Sequence, residues 1–258
     1  MIDEKENISA GKLILKIILG VALALVICFG VPFLAVVLWA VGNDAKYERM
    51  EPDAQAAAEA YIAEQYPGND FEITAFYHNF KDNSFDAEIQ SRSSADTHFT
   101  VKIADDTLEL DYDSYERDVL EGGNTADRVE KEYSAAVQSV LSDLFPEQFV
   151  DAKFQRRYIV HGEAEFTEDM LADVRWEVDK QYDVSALGAQ AGVVQVLFDN
   201  TEGEYPPERR MEVLRRMAQA LEEADMGFFT MEVWVAEELH NDSPAYCFEE
   251  RIPKNELD

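Results

Sequence analysis

Hydrophobic and polar positions along this chain follow three different rules in turn. From Ile17 to Val41, 25 residues pass without a charge; at helical rise this is roughly 37 Å, enough to cross a hydrocarbon core of about 30 Å with some tilt. A secretory signal needs an apolar stretch of only about 7–15 residues, so the run predicts a transmembrane anchor. Gly20, Gly30 and Pro32 lie inside it, which membrane helices tolerate, and Trp39 near its far end suits the headgroup layer.

The pattern then changes to helical spacing. Ala54, Ala57, Ala58, Tyr61, Ile62 and Tyr66 share one face, Pro52 suits a helix start and Pro67-Gly68 stops it. Alternation follows. Phe71, Ile73, Ala75 and Tyr77 make a loose strand, and residues 81–84 a turn. Phe85, Ala87 and Ile89 then alternate with Asp86, Glu88 and Gln90, as a half-buried strand should. Phe99, Val101 and Ile103 repeat the pattern, residues 105–107 turn the chain, and Leu108, Leu110 and Tyr112 complete an antiparallel meander with an acidic outer face. After Gly122-Gly123, with Asn124 as N-cap, a second helix carries the stripe Ala126, Val129, Tyr133, Val137, Val140, Leu141 and Leu144, wide enough to lie on a sheet. This helix is expected to cover the meander.

Residues 147–182 are charged and sparse in apolar positions, and the pattern assigns them no elements. Beyond them, Val193–Phe198 reads as a strand. Residues 207–225 read as a helix buried through Met211, Leu214, Met217, Ala218 and Leu221, with Gly227 as its left-handed cap. Phe228–Ala236 reads as another strand. The predicted class is therefore α+β. A cytoplasmic tail (1–16), a transmembrane anchor (17–41) and a linker (42–50) precede two small two-layer domains, 51–146 and 147–258.

Charge changes this picture by dividing the chain. Residues 1–42 sum to zero, so the whole net charge of −31 belongs to residues 43–258. A part that acidic repels phosphate backbones and anionic lipids, which excludes nucleic acid as a partner and opposes peripheral membrane contact, while leaving cations, basic polymers or basic proteins open. Lys12 and Lys16 abut the apolar run, whereas Asn43 and Asp44 open the other side, so the N-terminus is expected in the cytoplasm and the bulk of the chain outside the cell. Ala40-Val41-Gly42 leaves cleavage after Gly42 open. Leu25-Val26-Ile27-Cys28 makes a poor lipobox, and Cys28 reads as lipid-facing. Only Cys247 lies beyond the anchor, so the outer part forms no internal disulfide and rests on packing. Among aromatic neighbours Cys247 reads as a small buried hydrophobe.

Several segments together are similar to a known family. Ala60-Tyr61-Ile62 with Tyr66-Pro67-Gly68, residues 79–85, Asp96-Thr97-His98-Phe99, Tyr112-Asp113-Ser114-Tyr115, Asn124-Thr125-Ala126-Asp127-Arg128 and Glu132-Tyr133 resemble the YfjL-like proteins of Gram-positive bacteria, as do residues 182–188, Pro207-Glu208-Arg209, Gly227-Phe228-Phe229 and residues 248–252. The resemblance implies a membrane-anchored surface protein and carries over no catalytic residue. Asn83 stands where that hairpin usually has glycine. The helix-then-meander layout of residues 52–113 is also similar to PepSY-type modules, which are linked to restraining peptidases.

No candidate chemical site outweighs its ordinary explanation. His78, His98, His161 and His240 are scattered, with no pair at zinc-ligand spacing; His98 is expected to face solvent. Asp111–Glu116 opens like a calcium loop but lacks the third ligand and the glycine. Asp199, Glu202 and Glu204 read as a solvated turn, and Gly122–Thr125 as capping rather than an anion site. Arg209, Arg210, Arg215 and Arg216 are the basic cluster, with Glu212 expected to pair Arg216. No nucleophile elbow, zinc helix, P-loop or dinucleotide fingerprint occurs. No catalytic, cofactor-binding or metal residue is assigned, and no cofactor is expected. The first reading is a membrane-anchored surface protein whose acidic ectodomain binds a ligand or protein. A peptidase-restraining module and, third, a carboxylate-dependent extracellular hydrolase are the alternatives.

Overall fold

In the computed structural model the residues described are 28, 31–155, 170–200, 203–238 and 244–257. They form an α+β protein with two four-stranded sheets. The chain divides into two compact units, residues 1–69, 73–89 and 100–113 in the first and 70–72, 90–99 and 114–258 in the second.

The first unit is built on a single helix, α1 (Val31–Gln65), with Pro52 inside it. Two expectations change here. Pro52 does not start a helix, and residues 42–50 are not a linker but continuous helix. Good helix formers flank Pro52, with Glu48, Arg49, Met50 and Glu51 before it and the alanine-rich residues 54–60 after it, and their propensity outweighs the one backbone hydrogen bond that proline removes. Of the expected anchor, only Cys28 and Val31–Val41 fall among the described residues, and within those residues no helix is long and apolar enough to cross a membrane. Ala54 and Ala58 are fully buried, their lack of bulk allowing close approach. Tyr61 and Tyr66 both donate to Asp113 Oδ2, at 2.7 and 2.5 Å.

Strands β1 (Phe71–Asn79), β2 (Ser84–Ser91), β3 (His98–Ala104) and β4 (Leu110–Asp113) follow in the order β1-β2-β3-β4, as the alternation predicts. The β1–β2 turn needs a left-handed residue, and Asn83 takes φ +54°, a conformation asparagine tolerates better than other side chains. That is the physical reason glycine suits the position. The acidic outer face holds one exception: Asp86 is buried, accepting from Ser84 Oγ at 2.6 Å and Asn79 Nδ2 at 3.0 Å. A register shift between Lys102 and Ile103 leaves Leu110 and Tyr112 exposed rather than inside.

The second unit holds β5 (Phe149–Phe154), β6 (Gly192–Asp199), β7 (Thr230–Glu238) and β8 (Pro244–Pro253) in the order β5-β6-β7-β8, with β6 and β7 parallel and the outer pairs antiparallel. Helices α2 (Gly123–Leu141), α3 (Val184–Ala191) and α4 (Pro207–Glu223) belong to it. The α2 residues Val129, Tyr133, Val137 and Leu141 share one core with Val150, Phe154, Val194, Val196, Leu214, Met217, Met231 and Val233. Helix α2 therefore covers this sheet, and the chain does not divide at residue 146. Its apolar stripe shows that it needs a sheet but cannot say which.

Helix α2 also closes the β5 edge of the sheet. Glu130 accepts the Phe154 N–H at 2.8 Å, and Asp151, held by Ser134 Oγ at 2.6 Å, accepts the Ala152 N–H, so β5 offers little backbone for further strand pairing. Strands β5 and β8, helix α3 and the short helical turns Glu116–Leu120 and Lys254–Glu256 are elements the pattern missed. After α4 the left-handed residue is Asp225, φ +56°, rather than Gly227. Gly227 is required by crowding, because a Cβ there would lie 2.3 Å from the Ser185 carbonyl.

Candidate binding face of the second sheet

The face of the second sheet turned away from its helices has two halves. Across one half Gln195, Glu232 and Arg251 stand in register on β6, β7 and β8, joined by Lys153 of β5. Gln195 Nε2 donates to Glu232 at 2.7 Å, Lys153 Nζ lies 3.5 Å from it, and Arg251 closes a tight ion pair. Burial opposes ionisation of Glu232, but the Gln195 and Arg251 hydrogen bonds and the Lys153 charge outweigh it and hold the carboxyl below its ordinary value. Every side chain of this row has a partner within it.

The other half is apolar. Phe149 and Phe248 are 65% and 50% exposed, and Trp234 meets Phe248 edge-on with ring centroids 5.5 Å apart. A shift in the β7–β8 register between Val233 and Trp234 bends the strand there, as bulges beside functional surfaces do. Phe149, Gln195, Leu197 and Trp234 line a depression of about 220 Å³. Its volume falls short of the roughly 300–1,000 Å³ of small-molecule pockets and suits one or two inserted side chains. The Nε1–H of Trp234, one of its lining residues, is buried and makes no hydrogen bond within the protein, an arrangement that costs about 1–3 kcal/mol.

A second polar centre in this unit is structural. Asp96, almost fully buried, accepts from Thr125 Oγ1 at 2.8 Å, Arg128 Nε and Nη2 at 2.8 and 3.0 Å, and the Asp179 N–H at 2.9 Å. Asp179 Oδ1 accepts the N–H groups of Ala95 and Asp96 in return. Desolvation raises the Asp96 pKa, yet Arg128, the Asp179 N–H and Thr125 together hold it below the usual carboxylate range. The same hydrogen bonds raise that of Arg128.

This network also accounts for Gly122–Thr125. Gly122, at φ +77°, is the N-cap, and Asn124 lies in the first turn, donating to the Asp96 and His98 carbonyls. The Thr125 hydroxyl and the Arg128 guanidinium in the first turns of the helix are thus already taken by the chain's own Asp96 carboxylate. His98 is exposed, as expected. His78 instead is buried in the first unit, its Nε2 3.0 Å from Asp105 Oδ2. His161, His240 and Glu202 lie outside the described residues, and Cys247 is placed on β8 by its backbone alone.

The remaining candidates are also occupied by structure. Arg210 donates to the Tyr205 carbonyl and Arg209 to that of Glu204. Arg216 sets its guanidinium 5.4 Å from the Phe145 ring in place of the expected Glu212 pairing. Among the described residues no three His, Cys, Asp or Glu side chains converge to hold a metal. Sequence reasoning missed Phe149, Trp234 and Phe248 because Phe149 lies in the unassigned stretch and Trp234 in a nearly continuous apolar run. A tryptophan at an outward position of β7 was the available signal.

No family model matches the chain, and no curated protein matches it. Among solved structures it is similar to the crystal structure of a DUF5037 family protein from Ruminococcus gnavus, at 15% identity over 72% of this chain and 75% of that one, with a TM-score of 0.24. A likeness at that score carries no argument about function.

Proposed function

We propose that this chain is a single-pass surface protein, cytoplasmic at its N-terminus, whose acidic ectodomain is non-catalytic and binds a protein partner through the aromatic half of the second sheet. The observation that carries the reading is the row of Phe149, Trp234 and Phe248 across the sheet, with both phenylalanines exposed and the half-buried tryptophan holding an unsatisfied indole N–H between them. Aromatic anchors with a buried donor are what an interface centre is made of. The net charge of −31 selects a basic partner whose apolar side chain enters the depression and whose carbonyl accepts from Trp234. The anchor rests on the uncharged run 17–41 and on Phe33, 70% exposed on α1 where lipid would surround it. The two resemblance segments around Asp96 and Asn124–Arg128 meet in the structural network, which accords with shared residues that specify a fold and not a reaction.

The test is a photo-crosslinking amino acid at Phe149 in the native host, with proximity labelling from a fusion after Asp258. The expected result is one dominant surface adduct that weakens with salt and disappears in Trp234→Ala. Equal adducts from Phe149 and from exposed Ala135 on α2 would refute the binding face, and labelling of cytosolic proteins would refute the topology.

A further inference from the structure

Helix α1 does more than tether the first unit: it fixes that unit's height above the membrane. Tyr47 lies six residues past Val41, the end of the apolar run, so about 9 Å along the axis. There its ring stacks on His78 with centroids 3.6 Å apart and meets Phe80 edge-on at 5.6 Å. The other end of the same helix is tied to β4 through Tyr61 and Tyr66 on Asp113. Residue 78 thus lies at the end of the sheet nearest the apolar run, and β1 continues toward that run. Two residues further, just past the end of β1 and at up to about 3.3 Å each, Phe80 falls roughly 2 Å or more from the level of Val41, inside a headgroup layer that adds about 5–7 Å to each side of the hydrocarbon core.

Phe80 touches Tyr47 and, with centroids 4.5 Å apart, His78 along the edge of its ring, yet it stays 62% exposed while Phe85 is buried, so most of its ring is left without a protein partner. Lys81 beside it is exposed, and Lys46 Nζ lies 4.8 Å from the Tyr47 ring. Aromatic rings flanked by lysines that reach outward are the residues that settle at a membrane interface. The charges at this end are mixed: Lys46, Arg49 and Lys81 face Glu48, Asp82, Asp105 and Asp106, with Asp82 held by Lys102 and Asp105 by His78. Attraction to anionic lipid is therefore not the cause.

We infer that the β1–β2 turn, through Phe80 and Lys81, inserts into the headgroup layer of the same bilayer the apolar run crosses, so that the first unit is a platform braced on the membrane at two points. The inference rests on the anchor reading. Its consequence is that the first unit does not swing freely on a stalk.

The test uses the full chain, with Cys28→Ala and Cys247→Ala, reconstituted in phosphatidylcholine vesicles and labelled with an environment-sensitive fluorophore at Phe80→Cys or, as control, at Ala63→Cys, which is exposed on α1 about 24 Å beyond Tyr47. Quenching by a headgroup spin label is expected to be several-fold stronger at 80 than at 63, with a blue-shifted emission at 80 and no increase when phosphatidylserine is added. Lys81→Cys gives the same readout if Phe80→Cys does not fold. Chain retained by the vesicles with equal quenching at the two positions overturns this inference alone. Chain washed off the vesicles by alkaline carbonate overturns the anchor reading and the inference together. Quenching at 80 confined to phosphatidylserine vesicles overturns the aromatic account.

Discussion

Replacing Asp96 by asparagine isolates the charge at the centre of the second unit while keeping the side chain's shape. Four donor contacts converge on the two oxygens, three of them on Oδ2. The Asn amide nitrogen is forced to the Oδ1 position, where it meets the Arg128 Nε–H donor to donor. Arg128 then retains Glu132, at 2.7 Å, and the Lys180 carbonyl, but loses its buried counter-charge. Asp96 has 2% side-chain exposure against 21% for Arg128, which places the pair in the buried class, where removing one partner costs about 3–5 kcal/mol. For a unit of this size that corresponds to a fall in Tm of roughly 6–20 °C.

Thermal and urea unfolding of the full chain in detergent, followed by circular dichroism, reads this difference. Arg128→Leu alone is expected to cost a similar amount, and the double variant clearly less than the sum. The pH dependence has a definite sign. A carboxyl whose folded pKa is depressed contributes stability that is present above the unfolded value of about 3.9 and is lost as pH falls through the folded value. The gap between wild type and Asp96→Asn should therefore stay constant above about pH 5 and narrow only below about pH 4. A variant within about 1 kcal/mol of wild type, the scale of an exposed ion pair, would refute the buried network.

Three further outcomes follow from other parts of the molecule. Burial first and the Asp113 carboxylate second push the Tyr61 phenol up to about 12, and the same causes raise that of Tyr66; since a raised folded pKa contributes stability below the unfolded value and loses it above, the first unit should weaken between about pH 10 and about 12, read by phenolate absorbance with circular dichroism. Tyr61→Phe with Tyr66→Phe should remove that step and cost about 1.5–3 kcal/mol at neutral pH; an unchanged alkaline profile would count against the Asp113 clamp. Gly122→Ala combines a left-handed φ with a Cβ placed 2.4 Å from Trp176 Cβ, so about 2–4 kcal/mol should be lost in urea unfolding, and a neutral result would mean the α2 start is built differently. Trp234→Ala should abolish the Phe149 adduct while shifting the urea midpoint little, whereas a gross loss of stability would make Trp234 a core residue rather than a binding one.

What the sequence determined by itself is everything that depends on local periodicity. Alternation over residues 71–113 located the four strands of the first sheet because each strand buries one face and wets the other. The stripe of α2 and the Pro207 start of α4 were legible for the same reason, since an amphipathic helix writes its own buried side. The charge asymmetry at residue 42 was likewise available without coordinates.

Only the tertiary structure decided which surfaces meet. It set α2 on the second sheet, because an apolar stripe carries no address for its partner. It made residues 42–50 helix, because helix propagation past the apolar run needs no signal of its own. It turned Asp86 and Asp96 inward, where Ser84, Asn79, Thr125 and Arg128 satisfy them, although polar identity alone argued for solvent. It also brought Phe149, Trp234 and Phe248, from three separate strands, onto one exposed face. Such a surface is written in strand order and register, which are long-range pairings that no stretch of the chain contains by itself.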